Sequence, residues 1–220
     1  VSFAGLNTLK KQIKTDHPLA RQLWTSGNAD ARHLATMIAD PGLMGAIALE
    51  ACAVDLSHYM IADLFAGLAA KTTHAQKMAL RWTKSREEWI SRAGWGLVGC
   101  QAMEDPLLPD TYFERFLMII ENTIHGGGNF TRHAMNMALI AIGGRNAALE
   151  KRAVAAAQRI GKVVVDHGET GCKTPDALAY MKKMKAHKMK KASSPKRGGL
   201  TPPKGGGLTT KPGRRAAIAA

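Results

Sequence analysis

The sequence predicts an all-α fold, a superhelical solenoid of antiparallel helix pairs, and three observations lead to it. Apolar residues recur three and four apart, as at Leu34, Met37 and Ile38 or at Leu139, Ile140 and Ile142, and no convincing strand pattern occurs. Breakers punctuate the chain at short intervals. One local pattern is written twice, in "EEWISRAGWGLVG" from Glu87 and in "GNFTRHAMNMALIAIG" from Gly128. Each copy leads from polar residues and an aromatic to an arginine, Arg92 or Arg132, and then to an apolar run ending at glycine.

The breakers set the elements. "SGN" at 26–28 and "DPG" at 40–42 bracket a helix headed by Arg32 in "NADARHLATMIADPG". "EDPLLPD" at 104–110 closes the helix that carries Arg92, and "HGGGN" at 125–129 reads as a flexible turn before the helix that carries Arg132. "HGGGN" is not a phosphate loop, having neither a preceding strand nor a following Lys-Ser/Thr. "GGRN" at 143–146 ends that helix. The last helix is expected to start with Thr174 as N-cap, Pro175 at the first helical position and Asp176 near the positive dipole end, and to run to the lysines near 190. In all, about ten helical segments are expected, mostly of about 10–16 residues. Arg92 and Arg132 lie forty residues apart, and helix pairs at that period are the mark of HEAT-like solenoids, in which one helix of each pair lines a concave face. An arginine heading each inner helix, at 32, 92 and 132, would sit on that face.

Composition narrows the class. The 220 residues are 45% hydrophobic, with no uninterrupted apolar run long enough for a membrane helix and no signal peptide. Three distant cysteines argue against a disulfide framework and for a reducing cytoplasm. The net charge of +14 is unevenly placed: up to Met181 there are 19 Lys+Arg against 17 Asp+Glu, and the other twelve basic residues follow. Residues 1–191 are therefore read as the repeat domain and 192–220 as a disordered, Gly/Pro/Lys-rich basic tail. Such a tail binds phosphates by counterion release. A chain opening on Val1 is read as a fragment or a processed product.

Over about residues 3–185, the chain resembles the DNA alkylation repair family, the HEAT-like glycosylases often called AlkD-like. The stretches that carry the resemblance are "LARQLWTSGNADARHLATMIADPG", "REEWISRAGWGLVG" and "NFTRHAMNMALIAIGGRN", in that order, and the most specific run is Trp24 to Pro41. The resemblance implies further N-terminal helices, and excision of cationic N3- or N7-alkylated purines from duplex DNA. An aspartate would stabilise an oxocarbenium-like sugar, aromatic rings would cradle the cationic nucleotide, and arginines would hold backbone phosphates. It implies no cofactor and no metal, a monomer, no membrane, and a cytoplasmic, nucleoid-associated place of work.

Carried onto "VDLSHYMIADLFAGL", the family's aromatic and its aspartate four residues on fall at Tyr59 and Asp63, the candidate catalytic pair. The other register puts His58 and Ala62 there and would lack the carboxylate. Arg92, in "WISR", matches the phosphate-holding arginine, and Arg132, in "FTRHA", occupies a similar repeat position. The family's second tryptophan and the arginine three residues on correspond to Met137 and Ile140, two departures. Trp82, Trp89 and Trp95 are expected to pack between helices, with Trp95 the one of the three most suited to face a ligand; the methionines are core filler. The histidines lack metal-ligand spacing. Two rival readings stay open beside the glycosylase: a catalytically silent nucleic-acid-binding relative, and a helical-repeat scaffold for a protein partner.

Overall fold

The computed structural model describes residues 1–193, and among these there is no strand. Eleven α-helices follow one another: α1 (Phe3–Ile13), α2 (His17–Thr25), α3 (Ala29–Ile38), α4 (Ala46–Val54), α5 (Tyr59–Ala69), α6 (Ala75–Trp82), α7 (Glu88–Glu104), α8 (Asp110–Thr123), α9 (Asn129–Gly143), α10 (Ala147–Ile160) and α11 (Ala177–Ser193). Short 3₁₀ turns at Pro41–Leu43 and Ile124–Gly126 mark the "DPG" and "HGGG" breakers. The basic tail expected from residue 192 lies, apart from its first two residues, outside the described residues.

Starts are set by side-chain caps where the sequence offers one. Ser2, Asp16, Asn28 and Asn146 each accept from a backbone N–H three residues on. The cap of α11 corrects an expectation. Asp176, not Thr174, accepts the N–H of Ala179 at 2.7 Å, and the helix opens at Ala177. The Thr174 hydroxyl is engaged elsewhere, by two histidine rings.

The odd-numbered helices α1, α3, α5, α7, α9 and α11 lie side by side in one layer, while the even-numbered helices back them in the second. This is the HEAT-like solenoid. The core runs between the layers, through Trp24, Phe65 and Trp82 with centroids 5.5 Å apart at each step, and through Trp95 set edge-on to Phe116. α7 is the central spine, packing on α5, α6 and α9. Its glycines make that possible. A Cβ on Gly94 would lie 2.5 Å from the Thr83 backbone nitrogen, and one on Gly96 3.2 Å from the Ala66 methyl.

Arg32, Arg92 and Arg132 do stand near the N-terminal ends of odd-layer helices, but the first two turn inward. Arg32 donates to the carbonyls of Trp24 and Asp55 and lies 5.4 Å above the Trp24 ring. It joins neighbouring repeats instead of facing a ligand.

Candidate functional site

The site is assembled by three helix starts. Tyr59 is the first residue of α5 and is 45% exposed; Asp63, one turn on, keeps a half-exposed carboxylate. Ala62 is fully buried in the core, so the alternative register places no group at the surface where the carboxylate is needed. Arg92 comes from α7 and is buried: Nε donates to Asp63 Oδ1 at 2.8 Å and Nη2 to Oδ2 at 2.7 Å, a bidentate pair. Nη1 donates to the Phe130 carbonyl at 3.3 Å. The guanidinium lies 5.6 Å from the Tyr59 ring centre and 5.9 Å from that of Phe130, two rings nearly parallel at 14°. Trp89 lies 5.0 Å from Phe130.

The expectation that Arg92 offers itself to phosphate is therefore corrected. Its best donors are committed to a carboxylate 29 residues earlier in the chain. What it does is aim Asp63. Glu88, in the first turn of α7, accepts the Phe130 N–H at 2.6 Å and so fixes the start of α9 against α7.

Arg132 has a different fate. The pattern is W-x-x-R in α7 and F-x-R in α9, and one residue turns a helical side chain by about 100°. Arg132 is half-buried; among the described residues its guanidinium reaches only Asn129 Oδ1, at 3.3 Å, and its buried Nε has no partner.

A groove of about 440 Å³ opens beside the pair along α5, α7, α9 and α11, within the roughly 300–1,000 Å³ of small-ligand pockets. Met137, 37% exposed, lies on its wall, while Ile140 is buried beneath. Trp95 also lines this groove, but it is 1% exposed and its ring packs edge-on to Phe116 in the core. The Cys100 thiol on the wall is pushed up to about 11 by burial, which keeps it protonated and unreactive.

Sequence reasoning missed Phe130, Glu88 and His133. The repeated aromatic-then-arginine pattern was the available signal for Phe130. His133, on the groove, shares the Thr174 hydroxyl with His167, at 2.9 Å each. Burial first, then the Arg92 charge and His167, hold its pKa down to about 4. Among the described residues, no group of three His, Cys, Asp or Glu is placed to hold a metal, and no helix is long and apolar enough to cross a membrane.

The family model described as DNA alkylation repair enzyme matches residues 4–193. The chain belongs to the DNA alkylation repair enzyme family. Two uncharacterized proteins resemble this family member over 178 residues, 80% of its chain and 77% of theirs: Lin0241 of Listeria innocua, 28% identical, and Lmo0209 of Listeria monocytogenes, 27% identical. A solved structure is similar at TM-score 0.79 and 26% identity, over 86% of this chain and 81% of its own. It is described as a new family of proteins related to the HEAT-like repeat DNA glycosylases with affinity for branched DNA structures.

Proposed function

We propose that this protein binds damaged DNA along the odd-helix groove and excises cationic N3- or N7-alkylated purines. The observation that carries the reading is a half-exposed Asp63 carboxylate, aimed by Arg92, one turn after the exposed Tyr59 ring. A purine alkylated at N3 or N7 is already cationic and leaves as a neutral base. The C1′–N bond breaks with its electron pair going to the base, water adds at C1′, and its proton passes to solvent. Asp63 opposes the positive charge growing on the sugar, and Tyr59 offers a π face to the cationic nucleotide. Pairing with Arg92 reduces the field of Asp63, so its contribution falls below the roughly 3–4 kcal/mol of a fully effective charge-stabilising group.

The test is release of free base from duplex DNA carrying N7-methylguanine, with Asp63→Asn alongside. Release of at least about tenfold over the variant supports excision. Release equal to spontaneous depurination in both proteins removes it.

A second reading has its own support: binding without excision, with preference for branched DNA. The same bidentate Arg92 neutralises Asp63, Met137 stands where the family places an aromatic, and a similar protein is described as having affinity for branched DNA structures. Tighter binding to a four-way junction than to a linear duplex of equal length, with no base release, would select it.

A further inference from the structure

The groove beside Asp63 is lined by residues of two sizes. Gly96 and Gly99 of α7 and Ala134 and Ala138 of α9 leave it room, and a Cβ added at Gly99 would come no nearer than 3.9 Å to its neighbours. Three large apolar side chains stand exposed around them: Met103, Met137 and, from α11, Tyr180, which is 42% exposed. Apolar side chains gathered in the open on one concave surface mark a place where something docks.

An independent observation concerns His133, on the α9 wall. Its Nδ1 lies 2.9 Å from the Thr174 hydroxyl, which stands off the lining, so the edge of the ring left to the groove carries Nε2. That nitrogen makes no hydrogen bond among the described residues, yet is not sealed from solvent. The Thr174 hydroxyl also meets His167 Nε2 at 2.9 Å, and its single proton cannot serve two acceptors. With His167 donating to Thr174, and Thr174 donating to His133 Nδ1, both rings hold the Nε2–H tautomer that a neutral imidazole favours. His133 then presents an N–H to the groove. Burial and the Arg92 charge keep the ring neutral at pH 7.

We propose that the groove receives one unpaired base of DNA, stacked on Tyr180 and Met137 and hydrogen-bonded by His133, while its sugar stays at Asp63. A flat ring with a polar edge matches an aromatic and thioether wall that holds one donor. Lys183, one turn after Tyr180, is exposed and forms no ion pair among the described residues, so a cation stands ready for the adjoining phosphate. The inference rests on the DNA-binding part of the proposed function and does not depend on excision.

The full chain would be titrated by fluorescence anisotropy with two duplexes that differ at one extra nucleotide, an unpaired guanine in the first and an abasic residue in the second. Backbone contacts are common to both, so the ratio of affinities reads the base alone. The wild type is expected to favour the guanine duplex about tenfold, as one base stacked on an aromatic ring would give. Tyr180→Leu should bring the ratio to about one, and Tyr180→Phe should keep it; the side chain is exposed, so both variants leave the core intact. His133→Phe should lower the ratio about threefold for the lost hydrogen bond, and His133→Gln, which restores a donor, should return it. A wild-type ratio near one, or an unchanged ratio in Tyr180→Leu, overturns the base site while DNA binding stands. An unchanged ratio in His133→Phe removes the hydrogen bond from the proposal. If the wild type binds neither duplex, the proposed function fails together with the base site.

Discussion

At the scale of single residues, Asp63 and Arg92 are unequal partners: the guanidinium is buried and the carboxylate is half in water. Removing the carboxylate leaves a buried, unpaired cation. Asp63→Ala is expected to cost about 2–3 kcal/mol, below the full penalty for a buried pair because water reaches one side. Asp63→Asn keeps an acceptor for Nε and should cost about 1 kcal/mol. Urea unfolding of the two variants at constant m value checks the difference. It also shows that Asp63→Asn is the right substitution for an activity test. His133 supplies a pH dependence. Its folded pKa of about 4 lies below the unfolded value near 6.5, so the unfolded chain binds more protons between those limits. Stability is complete above about pH 6.5 and is lost as pH falls towards 4. His33, lowered by burial and by His58, adds in the same direction. Discounted for partial exposure, the His133 share is on the order of 1–2 kcal/mol. In His133→Gln, unfolding midpoints measured from pH 7 to 4 should fall less steeply than in the wild type.

At the scale of elements, close helix approach makes its own predictions. Gly94→Ala places a methyl against the Trp82 and Thr83 backbone, which has no flexible end to move aside. It is expected to cost about 3 kcal/mol or more. Gly67, inside α5, has nothing within 4 Å of its added Cβ, so Gly67→Ala should stabilise by about 0.5–1 kcal/mol. Thermal melts of the pair should move in opposite directions. These glycines also show what the sequence could convey. Element existence was legible because the breakers are local: each of "SGN", "DPG", "EDPLLPD", "HGGGN" and "GGRN" falls at a helix boundary. The start of α11 was misplaced by two residues because Thr174, Pro175 and Asp176 form two competing local caps. A tertiary contact with His133 and His167 decides between them. The arginines were located near the correct helix ends, but their direction was not legible. Nothing within ten residues of Arg92 announces Asp63, and a helix register of one residue separates Arg92 from Arg132.

At the scale of the whole molecule, charge and selectivity reside in different places. The chain up to Met181 is nearly neutral, and Arg32, Arg92 and Arg145 use their guanidinium groups on carbonyls and carboxylates of the fold itself. On the proposed function, long-range attraction of DNA therefore falls mainly to the twelve Lys and Arg that follow Met181, six of them beyond Ser193. Recognition of a lesion or a branch needs shape, and on the proposed function that part falls to the groove beside Asp63. The two contributions respond differently to salt, because a released counterion is counted per phosphate whatever the DNA structure. Truncation after Ser193 should reduce the salt slope by up to about 5, and weaken linear and branched DNA by the same factor of at least about ten near physiological salt. The ratio between the two affinities should stay as it is. Fluorescence anisotropy on a four-way junction and a linear duplex, with both proteins at matched salt, measures slope and ratio together. A ratio that collapses on truncation would move selectivity from the groove to the basic segment, and the solenoid would then be its carrier.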